Sequence, residues 1–377
     1  YDSRSLINIF TSTASNMKLR IELSSSAWGD TFDQGLSDIE DLLRDDKEEI
    51  KSNFNLVFLI LPSSLKTQYK KIKRYALTSP SRVITQIALE ATLGKKGFNS
   101  IATKLLLQVA TKTGNVPWVP DPPKSITSRM MIVGIDSSPD KEGKGQSVVG
   151  FCATLDKSYS HFYSKISYQP KSKGDLGIRE LIGGALRNYE LKNKWLPDEI
   201  LLLRDGCTNS QIELIQNNEV TELLECLNSI YKKNLPAVTY VVVDRKVSQK
   251  FFSSNGNRVS NPQYGTVVNS GVVTRNFDFF MVAQNCNKGT ATPTYYKVIH
   301  NTSRLNEGQL QELLYGQCFN YMNWSGSVRV PGVCQYSRKL STFVAENMKD
   351  FADTDLRINE RLYYIEVVIV ADDQYVV

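Results

Sequence analysis

The 377-residue chain contains few of the residues that perform acid–base or soft-metal chemistry. Its only histidines are His161 and His300, so histidine has little scope as a general base. The six cysteines lie far apart with no CxxC pair. This spacing argues against a disulfide framework and a zinc site, and it is typical of a reducing compartment.

Long hydrophobic runs are also missing. No apolar stretch reaches the roughly 20 residues that a membrane-spanning helix needs, and the first residues, YDSRS, do not form a signal peptide. We therefore expect an intracellular protein, in the nucleus or the cytoplasm, with no membrane partner. The chain does not begin with methionine, so we interpret it as a piece of a longer protein.

The formal charge of +6 is mild and permits nucleic-acid binding only where the basic residues are concentrated. The length indicates two domains, or one large α/β domain with an appendage. Several lysines and arginines do lie close together along the chain. They are Lys66, Lys70, Lys71, Lys73 and Arg74, then Lys141 with Lys144, and Lys171 with Lys173.

Two apolar runs end in an aspartate: residues 130–136 (MMIVGID) end at Asp136, and residues 200–205 (ILLLRD) end at Asp205. Open α/β sheets place their chemistry at the carboxyl ends of strands. A pair of carboxylates suits Mg²⁺ or Mn²⁺, which can assist phosphodiester cleavage. A single aspartate at such a place more often caps the following turn. The pair favours a site, with capping as the alternative.

The pattern of the remaining segments predicts a mixed sheet in the second part of the chain. Three consecutive strands are followed by a helix and a further strand, with Asp on the first and fourth strands, which is the RNase H order. The predicted strands are 130–136, 147–155, 160–168, 200–204 and 238–243, and the predicted helices are 176–193, 210–230, 308–323 and 337–348. Upstream, the pattern predicts a strand at 55–62, helices at 67–77 and 99–112 and a proline-rich linker at 117–123.

These motifs resemble the PIWI domain of Argonaute proteins, and in particular the PIWI clade. The matching segments are MIVGID (131–136), SVVGFCA (147–153), LRDG (203–206), FDFF (277–280), YMNWSG (321–326), RVP (329–331) and CQY (334–336). Upstream, YKKIK (69–73) and SIATK (100–104) resemble the MID domain. The resemblance implies an α/β chain with a Rossmann-like MID domain followed by an RNase H-like PIWI domain.

The implied domain organisation has four parts. Residues 1–54 are a linker and the N-terminal edge of the MID lobe, and 55–125 are the MID domain that binds the 5′ end of a guide. Residues 126–365 are the PIWI domain, and 366–377 are a C-terminal extension of unknown role. The family tends to end at a motif like LYYI (362–365), so this tail puts a terminal-carboxylate contact in doubt.

A guide 5′-phosphate pocket is implied by residues on two helices. Tyr69 and Lys73 lie one turn apart, and Gln108 and Lys112 repeat that spacing. By resemblance, the Tyr69 ring stacks on the first base while the lysines hold the phosphate. Arg82 stands where the family has a polar residue such as Gln, and it would add a two-pronged contact. Gln108 is similar to the variant in which Mg²⁺ bridges the phosphate; ordinary surface lysines are the alternative.

The catalytic set implied by the resemblance is incomplete. Active members use Asp, a mobile Glu, a second Asp and a fourth ligand that is usually His. Asp136 and Asp205 match and would hold Mg²⁺, but the fourth position falls on Arg338, which cannot ligate a metal. We expect Arg338 to form an ion pair with Asp136 or Asp205 in place of a metal.

The glutamate position is not identified. If the family's spacing is applied backwards from Asp205 without gaps, the glutamate position falls on Lys173. Asp175 is nearby, and Glu180 would occupy the position only if this chain had a deletion. The residues therefore favour a protein that does not cleave its target RNA, and an active endonuclease is the alternative.

Three functions compete at this point. The first is a small-RNA-guided RNA-binding protein that pairs a guide with target RNA and silences by recruiting effector proteins. The second is a guide-directed, Mg²⁺-dependent endonuclease that uses Asp136 and Asp205. The third is a scaffold for a protein partner; the phosphate-pocket residues favour the first over the third.

Overall fold

The computed structural model describes residues 3–20, 56–61, 66–78, 84–93, 97–124, 126, 129–139, 146–170, 176–207, 209–286 and 288–348. The chain divides into two compact units. The first comprises Tyr1–Pro117 and Asn347–Val377, and the second comprises Trp118–Glu346. The domain bounds in the sequence analysis stay predictions. The predictions for Arg82, Lys173, Asp175 and residues 366–377 concern positions outside the described residues.

The first unit has parallel strands β1 (Leu56–Leu61) and β2 (Ile84–Leu89), with helix α2 (Lys66–Thr78) between them in the chain. Parallel neighbours need such a crossover, usually a helix. Helices α1 (Ser3–Asn16), α3 (Glu90–Leu93) and α4 (Phe98–Lys112) complete the unit. Two apolar clusters pack it, around Leu6, Ala88 and Leu93 and around Leu59, Leu61 and Ile72.

Helix α4 begins at Phe98, one residue earlier than the predicted start at residue 99. Gly97 precedes it with φ +83°, and no side chain caps its first turn. Glycine adopts this left-handed conformation without a steric penalty, so the chain can turn into the helix at Gly97.

The second unit is built on an eight-stranded mixed sheet in the order β10-β11-β12-β7-β6-β3-β4-β5. The pairs β3–β6 and β6–β7 are parallel and the others are antiparallel. The bounds are β3 (Met130–Pro139), β4 (Gln146–Thr154), β5 (Phe162–Pro170), β6 (Glu199–Asp205), β7 (Ala237–Asp244), β10 (Thr266–Val268), β11 (Phe279–Val282) and β12 (Thr294–Asn301). The predicted mixed α/β fold is confirmed. A separate hairpin joins β8 (Ser253–Asn255) and β9 (Arg258–Ser260).

Helices flank this sheet. They are α5 (Ile178–Asn193), the one-turn α6 (Ile212–Leu214), a π segment (Ile215–Val220), α7 (Thr221–Tyr231), α8 (Glu307–Gln317) and α9 (Gly332–Asn347). The helix predicted at 308–323 ends early, at Gln317. The helix predicted at 337–348 begins directly after Pro331, whose fixed φ suits the start of a helix.

The two faces of the sheet bury different elements because strand side chains alternate. Met131, Val133 and Ile135 belong to a core cluster that also contains buried residues of α5 and α7. On the other face, glycines let α9 approach closely: a Cβ on Gly134 or Gly150 would collide with the α9 backbone. No helix in the described part of the chain is both long and apolar enough to cross a bilayer.

Candidate carboxylate and phosphate sites

Asp136 and Asp205 lie on adjacent parallel strands, near their carboxyl ends. Asp205 is the last residue of β6, as its apolar run predicts, whereas β3 continues three residues beyond Asp136, to Pro139. In the pairing of these strands, Ile135 lies opposite Arg204, and Asp136 and Asp205 are the next residues on the two strands. Both are buried, at 4% and 1% exposure. Asp205 Oδ1 accepts a hydrogen bond from the Gly206 amide at 2.7 Å. The structure therefore brings the two predicted carboxylates together.

Gly206 separates the carboxylates from the loop that follows. Its φ is +79°, and a Cβ added there would lie 2.5 Å from Asp136 Oδ1. Asp136 Oδ1 also accepts a hydrogen bond from the Ser137 amide at 2.9 Å. Glycine is therefore needed at position 206 for two reasons, the backbone conformation and the approach of the carboxylate.

Burial and the neighbouring carboxylate change the protonation of Asp136. Burial, followed by the charge of Asp205, raises the pKa of Asp136 to about 6, although Arg245 opposes this. Two buried like charges repel, so ionising both is unfavourable without a nearby cation. The pair is poised to attract a positive group.

That positive group is Arg245, and the predicted ion pair of Arg338 with the aspartates is wrong. Arg245 Nε lies 2.9 Å from each carboxylate oxygen of Asp205 and donates to Oδ1. Arg338 lies on α9 with an exposed side chain and forms no ion pair with any described residue. The helix places Ser337 against Gly150, so the next residue turns away from the sheet.

Behind Asp205, a buried polar network holds the end of β6. Arg204 donates through Nη1 to the Asp205 carbonyl at 2.7 Å and through Nε to Glu219 at 3.2 Å. Tyr240 donates its hydroxyl to the same Glu219 oxygen at 2.5 Å. Glu219 lies in the π segment, an irregularity often found near functional sites. This network fixes the backbone from which the Asp205 side chain extends.

The carboxylate oxygens of Asp136 and Asp205 are of the type that binds a divalent cation, but two carboxylates provide few ligands for one. Asp205 Oδ2 is buried and has no hydrogen-bond partner, and Asp136 supplies a second carboxylate. Hard oxygens are what Mg²⁺ prefers, and a bound Mg²⁺ would stabilise charge on a phosphodiester oxygen. Among the described residues no group of three His, Cys, Asp or Glu is arranged to hold a metal. Glu180, one candidate for the glutamate position, lies on α5, and its Oε1 is 2.5 Å from Lys165 Nζ.

A second polar cluster lies within the first unit. Lys73 on α2 and Lys112 on α4 both donate to the Thr85 carbonyl oxygen on β2, at 3.4 and 3.1 Å. Lys73 is 2% exposed, and its ammonium lies 5.7 Å from the centre of the Tyr69 ring. The predicted residues from the two helices therefore meet at one strand.

Two glutamines join these lysines. Gln86 accepts from Lys112 Nζ at 2.8 Å and donates to Gln108 Oε1 at 3.1 Å. Gln86 was missed in the sequence, although a glutamine inside the apolar strand ITQIAL was a usable signal, because buried polar groups need partners. The predicted contact of Arg82 concerns a residue outside those described, and the polar residue found in this cluster is Gln86.

Arg245 was missed as well, for a comparable reason. A third apolar run, AVTYVVVD, ends at Asp244 and is followed by Arg245, at the same edge of the sheet as Asp136 and Asp205. In the parallel ladder, Val243 lies opposite Asp205, which puts Arg245 two residues further on. The signal was a charged residue just past a parallel strand end.

Comparison with known proteins gives consistent matches. A family model described as Piwi domain matches residues 56–349. Piwi-like protein 1 of Gallus gallus is 35% identical over 329 residues, which cover 86% of this chain and 37% of that protein. Protein piwi of Drosophila melanogaster is 28% identical over 373 residues, which cover 97% of this chain and 42% of that protein. The chain thus spans less than half the length of these relatives.

Solved structures share the fold. The crystal structure of Drosophila Piwi superposes with a TM-score of 0.82 at 28% identity, covering 96% of this chain and 48% of that one. Kluyveromyces polysporus Argonaute, solved with a guide RNA, gives a TM-score of 0.78 at 17% identity, covering 95% and 48%. At that identity the second likeness concerns the fold alone.

Proposed function

We propose that this chain, which belongs to the PIWI clade of the Argonaute proteins, is the part of a small-RNA-guided RNA-binding protein that anchors the guide's 5′ phosphate. The observation that carries the proposal is the convergence of Lys73 and Lys112 on one carbonyl oxygen, that of Thr85. Two ammonium groups that share an acceptor repel each other, and an anion placed against both relieves the repulsion.

A terminal phosphate matches this cluster chemically. It carries up to two charges and accepts charge-assisted hydrogen bonds, each contributing about 1.5–3 kcal/mol. Gln86 and Gln108 add amide donors beside the lysines. The Tyr69 ring can stack on the first base, an interaction worth roughly 1–3 kcal/mol that tolerates any base. The proposal includes a Mg²⁺ ion: Gln108, whose amide oxygen is a hard ligand, would help to hold it, and the ion would offset the charge of the phosphate.

The relatives support the same ligand. Kluyveromyces polysporus Argonaute was solved with a guide RNA, and the family match covers most of this chain. In our proposal the guide pairs with complementary target RNA, and silencing follows from effector proteins that the complex recruits. We place this activity inside the cell, in the nucleus or the cytoplasm.

The anchoring role is tested by the affinity for RNAs that differ only at the 5′ end. Lys73→Met should weaken binding of 5′-phosphorylated RNA roughly 10- to 100-fold, as expected for one charge-assisted bond, and leave 5′-hydroxyl RNA little changed. Lys71→Met is the matched control, because Lys71 is exposed on the same helix. Fluorescence anisotropy measures all three proteins. Equal losses for both RNAs would mean that Lys73 does not read the phosphate.

We further propose that the protein does not cut its target. The fourth catalytic position holds Arg338, which cannot ligate a metal. Among the described residues, no glutamate joins the two aspartates in a group of three that could hold a metal ion. The alternative, a Mg²⁺-dependent endonuclease, is favoured by one observation: Asp205 Oδ2, on the strand next to Asp136, is buried and accepts no hydrogen bond.

Cleavage of a perfectly paired, end-labelled target by the guide-loaded protein separates these alternatives. We expect no product at physiological Mg²⁺, and little recovery in Arg338→His, because a mobile glutamate is still needed. A single cut opposite the guide that Asp205→Asn abolishes would establish the endonuclease instead.

A further inference from the structure

We propose that Arg245 is a tethered cation that competes with divalent metal ions for Asp205 and thereby sets the metal affinity of the carboxylate pair. The proposal extends the loss of cleavage proposed above, but it concerns metal binding without RNA. It can therefore fail while guide binding holds.

The contact between Arg245 and Asp205 is close and shielded. The guanidinium Nε lies 2.9 Å from both carboxylate oxygens, and the side chains are 19% and 2% exposed. A metal ion bound to the same carboxylate would lie near this guanidinium, and the two cations would repel in a poorly screened environment. The Arg245 contact and a tightly bound metal are therefore mutually unfavourable.

The main chain keeps Arg245 in place. Its carbonyl oxygen accepts a hydrogen bond from Arg329 Nη2, which also donates to the Pro293 carbonyl at 2.8 Å. The next amide, that of Lys246, donates to the Asp244 carboxylate at 2.9 Å. The peptide bond that follows Arg245 is thus held at both its carbonyl and its amide. This pre-organises the side chain to stay on its partner, so little entropy is lost in the contact.

The charge balance points the same way. Arg329 lies close enough to Arg245 that burial, followed by the Arg245 charge, lowers the pKa of Arg329. Asp205 is paired with Arg245 and also interacts with the charge of Arg329, while Arg204 is paired with Glu219. A dication approaching this set meets no net negative charge. Removing Arg245 restores one uncompensated carboxylate.

Manganese binding to the apo protein, followed by electron paramagnetic resonance, tests the proposal. Arg245→Gln should bind Mn²⁺ on the order of tenfold more tightly than the wild type, and adding Asp205→Asn should abolish the gain. Lys246→Gln is the matched control, since it removes the same charge from an exposed neighbouring side chain, and it should bind as the wild type does. Arg245→Gln affinity within twofold of the wild type would overturn the proposal, as would an equal gain in Lys246→Gln.

A measurement on the wild-type chain covers the case in which Arg245→Gln does not fold. Arginine Nε–H resonances are recorded in isotope-labelled protein, and the Arg245 signal is the one that disappears in Arg245→Lys. Diamagnetic Mg²⁺ should shift this signal before those of the other arginines, toward its position in Asp205→Asn, because the metal displaces the guanidinium from Asp205. An Arg245 signal that responds no earlier than the others would refute the competition.

Discussion

Replacing Arg245 by Met tests which arginine balances the buried aspartates. The change removes the cation 2.9 Å from Asp205 and keeps much of the aliphatic volume. Asp205 then remains as a charge that is 1% exposed. Losing one member of a buried ion pair costs about 3–5 kcal/mol.

The surroundings place the expected value near the low end of that range. Asp205 Oδ1 keeps its hydrogen bond from the Gly206 amide at 2.7 Å, and the guanidinium of Arg329 remains nearby. We therefore expect Arg245→Met to lower the free energy of unfolding by about 3 kcal/mol. Arg338→Met should change it by less than about 0.5 kcal/mol, since Arg338 is exposed and unpaired among the described residues.

Urea unfolding at neutral pH in EDTA measures both variants, with circular dichroism as the signal. The double variant Arg245→Met/Asp205→Asn completes a thermodynamic cycle and should lose less than the sum of the single changes, because the charge left unpaired is gone. If Arg338→Met is the more damaging substitution, or if the cycle shows no coupling, the assignment of Arg245 as the balancing cation is refuted.

Two further stability predictions concern other parts of the second unit. Burial pushes the pKa of Asp156 up, but hydrogen bonds from His161, Ser158 and Ser160 outweigh this and hold it well below its usual range. A lowered folded-state pKa contributes stability above the unfolded value, so Asp156→Asn should destabilise at pH 7, and the difference from the wild type should vanish as acid unfolding is followed below about pH 4. Gly206→Ala should lower the free energy of unfolding by roughly 1–3 kcal/mol, because φ is +79° and the new Cβ would meet Asp136; thermal melts that match the wild type would contradict this.

Much of the fold followed from short-range pattern. The runs ending at Asp136 and Asp205 are strands because they are short, apolar and bounded by polar residues. Helical spacing correctly placed Tyr69 and Lys73 on one helix and Gln108 and Lys112 on another. Helix ends were less accurate: α9 begins at Gly332 because Pro331 and its packing decide the start.

The contacts within each site depended on tertiary structure. The sequence alone indicated that two carboxylates end buried strands and that two helices carry lysines, because periodicity and charge are local properties. It could not show that Arg245 rather than Arg338 reaches Asp205, or that Gln86 lies between Lys112 and Gln108. Those partners are set by the register of parallel strands and the direction in which a helix crosses the sheet, and both arise from packing between residues distant in the chain.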